Sequence, residues 1–448
     1  MKNESLDMTQ GSLASHLSKL AIPATIGLLF NTLYNLTDTF WVGQLSTDSL
    51  AALSLNFPLY MLVMALGIGF SAASGALISN AIGAKKIQKS RKYLSQSLAL
   101  SLLSSLVGAV LLLIFLGPLF RLLKAEDAVF SGAMAYGRII VIGMPILNLA
   151  PILSSALAAR GDTHSYRNAL IVGCLLNVGL DPLFMNILQM NEAGTALATV
   201  FIQFLSLLYL LYKVLKAEGL KELKIRDYIP EKEYTKEIVE QAVPASANFL
   251  TMSLGTFVIT WFASSFGRNA VAAYGAAIRV EQIGLVPSSG LSMALAAMVG
   301  QNNGAKKIDR VISSYKLALL GGLIVMVIIL PPELFFGKQI ISLFTDTTAV
   351  VNIGYDYLLL QGFTFYSYML LFLSNALLQG LKKPRIIMWM GLYRQILAPA
   401  LIFYLLCFTF GMAERGIWVG LIFINWSAAI ITLLWAIHTL KKLKNAHN

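Results

Sequence analysis

The sequence predicts an all-α membrane protein of about twelve transmembrane helices, set in two six-helix lobes related by a pseudo-two-fold axis along the membrane normal. Three observations predict it. Hydrophobic residues make up 57% of the 448 residues and charged residues 12%, about half the charged share of a soluble domain. Apolar runs of about 18 or more residues recur along the whole chain, the length a helix needs to cross a bilayer. The second half also repeats the first. Ala21-Ile22-Pro23-Ala24 returns as Ala242-Val243-Pro244-Ala245, and Gly83-Ala84-Lys85-Lys86-Ile87 as Gly304-Ala305-Lys306-Lys307-Ile308, both at an offset of 221 positions. Internal repeats in an apolar chain are the signature of transporters.

The spans fall at roughly 17–43, 50–81, 94–118, 128–159, 167–189, 193–217, 238–266, 270–302, 312–337, 349–380, 386–410 and 416–440. Basic residues follow the even spans: Lys85, Lys86, Lys89, Arg91 and Lys92, then Arg160 and Arg167, Lys306, Lys307 and Arg310, Lys382, Lys383 and Arg385, and Lys441, Lys442 and Lys444. Few follow the odd ones: Arg121, Lys124, Arg268, Lys338 and Arg415. This bias puts both termini in the cytoplasm and requires an even number of spans. It also accounts for the net charge of +12 without nucleic acid. No cleavable signal is expected, because Met1 to His16 is polar.

The one long polar segment joins the halves. It gives an amino-terminal lobe over 1–214, a cytoplasmic linker over 215–237 and a carboxy-terminal lobe over 238–448. The linker mixes both signs (Lys221, Glu222, Lys224, Arg226, Asp227, Glu231, Lys232, Glu233) and reads as a connector. Cys174 and Cys407 lie inside apolar runs and read as packing residues. With the repeats in the same order, the cavity is expected between the lobes, opened to either side by rocking.

A carboxylate inside an apolar span costs about 2.5–3.5 kcal/mol and is a functional candidate by default. Asp38 is the first. Tyr34, Asn35 and Asn31 precede it at four, three and seven positions, on one helix face, and can hydrogen-bond it. At the repeat offset Asp38 faces Ile259. Asp181 is the second, with Asn177 one turn before it and Pro182 after it. Pro182 removes a helical hydrogen bond and frees a carbonyl near Val178. Leu397-Ala398-Pro399-Ala400 answers Leu180-Asp181-Pro182-Leu183, with Ala398 in place of the acid. Both acids therefore belong to the first half alone. Thr199 and Tyr136 are weaker candidates; a threonine in a helix bonds its own backbone and a tyrosine near a helix start anchors an interface. Glu281 and Arg279 lie in span eight and Arg394 in span eleven. Residues two apart do not share a face, so Glu281 is expected to pair across helices with Arg394, as a structural ion pair or a substrate contact. Pro23, with Gly27 after it, is the expected hinge of span one, although Pro244 repeats the proline without an acid.

Taken together, these residues resemble the multidrug and toxic compound extrusion (MATE) family. The resembling pieces are Ile22-Pro23, Asp38 followed by Phe40-Trp41-Val42-Gly43, Gly83-Ala84 and Gly304-Ala305, Ala159-Arg160-Gly161-Asp162, and Asn177 with Asp181-Pro182. The resemblance implies efflux of organic cations and drugs in exchange for protons or sodium. It implies that Tyr34, Asp38, Asn177, Asp181 and Thr199 surround the coupling ion, and Tyr136 joins that set as the weaker candidate read from the sequence itself. Sodium-coupled members with a second-lobe site carry acids on spans seven and ten. Here span seven has none from Thr251 to Trp261, and Asn375 stands where those members have Asp. The chain is therefore more similar to the DNA-damage-inducible subfamily, which implies protons, with sodium at Asp38, Asn177 and Asp181 as the alternative. Asn35, Arg279, Glu281, Asn375 and Arg394 are the expected polar lining of the substrate cavity.

No cofactor and no resident metal are expected, and the chain reads as a secondary transporter, not an enzyme. The expected partners are small-molecule drugs or organic cations and membrane lipid. A monomer in the inner membrane of a prokaryote is expected. A lipid or lipid-linked sugar flippase is the alternative; such relatives line their cavities with many cations. An intramembrane aspartyl protease lacks support, since Val178-Gly179-Leu180 precedes Asp181 where Gly-x-Gly is required. No phosphate-binding glycine loop supports an ATP-driven pump.

Overall fold

The computed structural model describes residues 6–123, 125, 127–217 and 225–446. Lys124 and the linker residues Lys221, Glu222 and Lys224 lie outside that set. All elements among the described residues are helical. Ten helices are each long and apolar enough to span a membrane, and two bent pairs bring the number to twelve.

The first repeat runs α1 (Leu13–Leu45), α2 (Thr47–Gly83), α3 (Ile87–Leu122), α4 (Asp127–Ile142), α5 (Met144–Ala158), α6 (His164–Pro182) and α7 (Glu192–Lys216). The second runs α8 (Lys232–Ser264), α9 (Arg268–Gly304), α10 (Ile308–Ser342), α11 (Thr348–Gly362), α12 (Phe365–Gly380), α13 (Arg385–Leu392), α14 (Ala398–Tyr404) and α15 (Glu414–Asn445). The spans expected at 128–159 and 349–380 are both bent, by 47° between α4 and α5 and by 54° between α11 and α12. The first break falls at Gly143, where a Cβ would meet Val200 Cγ2 at 2.4 Å, so α7 needs the gap. The second falls at Phe363-Thr364, where the Thr364 hydroxyl donates to the Gln361 carbonyl at 2.8 Å.

The duplicated Gly-Ala-Lys-Lys-Ile motif is a helix stop. Lys85 and Lys306 take φ of 59° each, and the next amide reaches back five residues, Lys86 to Ala81 and Lys307 to Asn302, each at 2.8 Å. Those bonds satisfy carbonyls left over at a helix end. Gly161 and Lys382 stop α5 and α12 in the same way, also with positive φ. After Gly161, Asp162 starts α6 by accepting from the Ser165 amide (2.9 Å) and hydroxyl (2.6 Å).

A π-helical turn, Leu183–Ile187, follows α6; another, Leu405–Thr409, follows α14. Gly194 in α7 and Gly416 in α15 pack on these turns. A Cβ would stand 2.7 Å from the Met185 amide nitrogen or 2.8 Å from that of Cys407. The two turns are therefore counterparts, and the counterpart of Asp181 is Phe403, not Ala398. The proline match misleads because the second repeat holds an additional π-helical turn, Tyr393–Leu397. A π-bulge inserts one residue into a helix, which moves the register of the repeats from 221 to 222 positions beyond it. The acid is absent from the second repeat under either alignment.

Contacts divide the chain into two units: Ile26–Ser246 with residues 6–8, and Thr9–Thr25 with residues 247–446. The cuts within α1 and α8 fall at the same repeat position. In the first unit, Gly69 of α2 receives Ala242 and Ser246 of α8; a Cβ there would meet Ser246 Oγ at 1.9 Å. In the second, Gly290 of α9 receives Ala21 and Thr25 of α1, with Thr25 Oγ1 at 2.2 Å. α1 continues through Pro23 as one helix. Gly27, expected as a hinge, has a packing reason to lack a side chain: a Cβ would lie 3.0 Å from Arg167 Cα of α6.

The segments that lead into α1 and α8 are also held symmetrically. In the first unit, buried Gln96 of α3 uses its amide to bond the linker backbone, donating to the carbonyls of Asp227 (2.8 Å) and Ile229 (2.6 Å) and accepting from the Glu231 amide (2.9 Å). Lys92 reaches Glu231 at 2.8 Å, and Lys89 and Tyr93 hold Glu237 at 3.2 and 2.6 Å. In the second unit Arg310, the repeat counterpart of Lys89, donates to the carbonyls of Gln10 and Gly11, and Lys307 to that of Thr9. The exposed ion pairs contribute little on their own; the buried amide matters more, because its loss leaves backbone groups unpaired.

Two expectations follow from this packing. Gly194→Ala should reduce the monodisperse fraction of detergent-solubilised protein several-fold, since backbone cannot yield. Gly179→Ala should not, because nothing lies within 4 Å of its Cβ; comparative gel filtration distinguishes them. Gln96→Ala should make Arg226 and Lys232 several-fold faster trypsin sites, read by timed digestion of folded protein.

Candidate functional site

The first unit brings Asp38, Tyr34, Asn177, Asp181, Thr199 and Tyr136 into one buried group. Asp38 and Tyr34 lie one turn apart on α1. Asn177 and Asp181 are likewise four residues apart on α6, and share its buried face with Gly173 and Cys174. Thr199 comes from α7 and Tyr136 from α4. Asp38 is 9% exposed and Asp181 and Asn177 are fully buried.

The hydrogen bonds run one way. The Tyr34 hydroxyl donates to Thr199 Oγ1 at 3.1 Å, and Thr199 donates to Asp38 Oδ2 at 3.5 Å. The Asn177 amide donates to Asp38 Oδ1 at 2.7 Å. Thr199, a weak candidate on sequence alone, thus joins the acid itself. Asn35 and Asn31 do not supply the donors expected of them. Asn35 is exposed, and the bonds come from α6 and α7 instead. Sequence spacing sees neighbours within one helix and is blind to those across helices.

Asp181 stands beside Asp38, within interaction reach. Neither of its oxygens has a donor, and the Asn177 carbonyl oxygen is also buried and unpartnered. Each buried acceptor without a partner costs about 1–3 kcal/mol, more when charged. Two facing carboxylates and an orphan amide oxygen therefore form a site completed by positive charge, a proton or a small hard cation. No cluster of three or more His, Cys, Asp or Glu exists among the described residues to hold a transition metal. Val178, whose carbonyl Pro182 frees, lies on the exposed side of α6.

Tyr60 of α2 was not singled out by the sequence, yet it lies within electrostatic reach of Asp38, as does Tyr136. The signal was faint: Tyr60 follows Asn56 by one turn, and buried Asn56 ties α2 to α4 by donating to the Ala133 carbonyl at 3.1 Å. A tyrosine in an apolar helix otherwise reads as packing.

In the second unit the expected direct pair of Glu281 and Arg394 does not form. Arg394 donates to Asn425 Oδ1 at 3.0 Å and covers the Tyr368 ring at 5.4 Å. The Asn425 amide donates to the Tyr368 hydroxyl at 3.3 Å, and Glu281 accepts from Tyr357. Arg279 is exposed and Asn375 half-buried, and neither makes a bond to this group. Both cysteines are free and buried.

A duplicated bundle of membrane-length helices with acids buried within it has the architecture of a membrane transporter. Comparison with known proteins gives the family. A family model described as MatE matches residues 23–183 and 244–405, one stretch in each repeat. The chain belongs to the MatE family. It is 27% identical to an FAD transporter of Shewanella oneidensis, over 75% of each chain. It is 26% identical to the probable multidrug resistance protein YoeA of Bacillus subtilis, over 83% of this chain and 82% of that one. Among solved structures, the outward-facing conformation of a multidrug resistance MATE family transporter of the MOP superfamily superimposes with a TM-score of 0.94. It is 26% identical, and the match covers 99% of this chain and 100% of that one.

The geometry ranks the donors. A hydrogen bond to a charged group contributes about 1.5–3 kcal/mol, so Asn177→Leu should lower the initial rate of efflux from vesicles at least tenfold at normal expression. Thr199→Val, which removes a longer bond, should lower it less.

Proposed function

We propose that this chain is a proton-coupled antiporter that exports organic, often cationic, compounds by alternating access, with Asp38 and Asp181 binding the coupling ion. The observation that carries this reading is the pair of buried, facing carboxylates whose acceptors outnumber their donors. One proton between them satisfies both oxygens that meet. A charge moving down the membrane potential releases about 2.3 kcal/mol per 100 mV, enough for roughly fiftyfold accumulation.

Sodium is the second reading, favoured by the orphan Asn177 oxygen beside the two carboxylates, a ligand set that suits a hard cation. A flippase is disfavoured because Arg279 and Arg394 are the only cations proposed for the cavity lining, where such relatives carry many. The remaining parts of the proposal are a monomer in the inner membrane of a prokaryote, in contact with lipid, with both termini cytoplasmic as the basic residues after even spans support. The proposed division into lobes over 1–214 and 238–448, with the linker over 215–237, follows the repeat. Pro23 and Gly27 remain the proposed hinge. Tyr34, Asn177, Thr199 and Tyr136 complete the ion site, and Asn35, Arg279, Glu281, Asn375 and Arg394 are proposed to contact substrate. No cofactor takes part. Because one relative is an FAD transporter, dinucleotides belong beside organic cations among the substrates tested.

The test is transport into inverted vesicles with one gradient at a time. A pH gradient alone should drive uptake of an organic cation, and a sodium gradient alone should not. Asp38→Asn should abolish uptake while leaving expression intact. Uptake driven strictly by sodium would replace the ion, and full activity in Asp38→Asn would remove the site from the mechanism.

A further inference from the structure

The second repeat carries a buried acid that the ion site of the first does not use. Glu281 of α9 is 8% exposed. Charged and titratable groups face it from every element packed around it: Tyr357 of α11, Tyr368 of α12, Glu333 of α10, Tyr274 of α9 itself, and Arg394 in the π-helical turn after α13. Three features of this group decide its role.

The first is its position in the repeat. α2 and α9 match without a gap, and so do the starts of α4 and α11. On that register Glu281 occupies the position of Tyr60, and Tyr357 that of Tyr136. With Tyr34 of α1 itself, Tyr60 and Tyr136 are tyrosines within electrostatic reach of Asp38 in the first unit. The same place in each repeat therefore holds a carboxylate among phenols; only the helix that supplies the acid has changed, from α1 to α9.

The second is how the positive charge is kept back. A structural ion pair would set the Arg394 guanidinium on the carboxylate. Here it donates to Asn425, whose amide donates to Tyr368, whose hydroxyl lies beside Glu281. Arg394 rides on the π-helical turn inserted only in the second repeat. Its charge acts on Glu281 through space, while its hydrogen bond goes to Asn425 and not to the carboxylate.

The third is the chemistry of the neighbours that touch the carboxylate. They are hydroxyls, which both donate and accept. Tyr357 donates to the carboxylate; after protonation the carboxyl O–H donates to a phenol oxygen, and the phenol turns its hydrogen away. Both charge states are satisfied without backbone movement. An ammonium or a backbone amide donor cannot reverse in this way. The Trp418 ring packs 4.9 Å from that of Tyr357, and its indole nitrogen is buried and unpartnered.

We propose that Glu281 is a second proton-carrying residue, so that this transporter moves one proton through each repeat per cycle. The proposal rests on the proton-antiport reading of the Asp38 site. Its test keeps the two apart. Purified protein in liposomes, with the membrane potential clamped at zero, is given a pH gradient and tetraphenylphosphonium, and the equilibrium accumulation is measured against gradient size. Each coupled proton contributes a factor of about ten per pH unit. Glu281→Gln should lower accumulation about tenfold at one pH unit, and Asp38→Asn should abolish it. An unchanged slope in Glu281→Gln with inactive Asp38→Asn overturns the second site alone; active Asp38→Asn overturns the antiport reading.

If Glu281→Gln does not transport, infrared difference spectra on acidification decide. Tyr357→Phe retains Glu281 and removes its hydrogen-bond partner. It should shift one protonated-carboxyl band of the wild-type spectrum while leaving the bands lost in Asp38→Asn in place. No shifted band in Tyr357→Phe overturns the proposal.

Discussion

A carboxylate buried in a membrane-spanning helix must find a partner, because neither water nor lipid supplies one. In this protein two such carboxylates face each other, and their neighbours leave three acceptor oxygens without donors. The surrounding helices are committed to that shortage. α6 contributes an acid and an amide one turn apart, so correcting the donor deficit from within α6 would displace Asp181 itself. α7 contributes a hydroxyl already engaged by Tyr34. Such a deficit suits positive charge from outside, and under the proposed coupling that charge would change the electrostatics of α1, whose two parts belong to different units.

The same scaffold, built twice, shows which parts are architecture and which are chemistry. Gly69 and Gly290, Gly194 and Gly416, the positive-φ lysines after α2 and α9, and the bends at Gly143 and Thr364 all recur at matching positions. Each is a place where backbone meets backbone or a helix must stop, and none tolerates drift. The buried acids do not recur. Asp38 faces Ile259, Asp181 faces Phe403, and Glu281 faces Tyr60. Packing constrains the frame at every position, whereas an ion site requires only that some acid reach the chamber.

How far this was legible follows from the range of each signal. Apolar runs, charge asymmetry and the duplicated motifs are properties of the chain itself, so twelve spans were readable and the two bent ones were located as spans. Asp38 and Asp181 were readable because an acid stands out in an apolar run. The partners divide by distance. Tyr34 and Asn177 lie one turn from an acid and were found by helix spacing. Asn35 and Asn31 satisfied the same spacing and failed, since spacing places a residue near an acid without saying what occupies the space between. Tyr60 lies across a helix interface and left only the faint mark of its spacing from Asn56. The Ala398 alignment failed for another reason: a π-bulge adds a residue silently, and a nearby proline offered a plausible but false anchor.

The handling of carboxylates ties these observations together. Glu231 and Glu237 meet lysines at the ends of helices, where water screens the pair and the bond serves as a fastener. Asp162 accepts from an amide and a hydroxyl at the start of α6, a fixed duty that needs its charge at all times. Asp38, Asp181 and Glu281 differ from both. No cation touches them directly, and the donors that reach Asp38 and Glu281 are hydroxyls and one side-chain amide. A group held by a lysine or by the backbone has one stable charge. A buried acid held by neutral, mostly reversible donors has two states of comparable standing, and that property is what a residue needs if its charge is to change during each cycle.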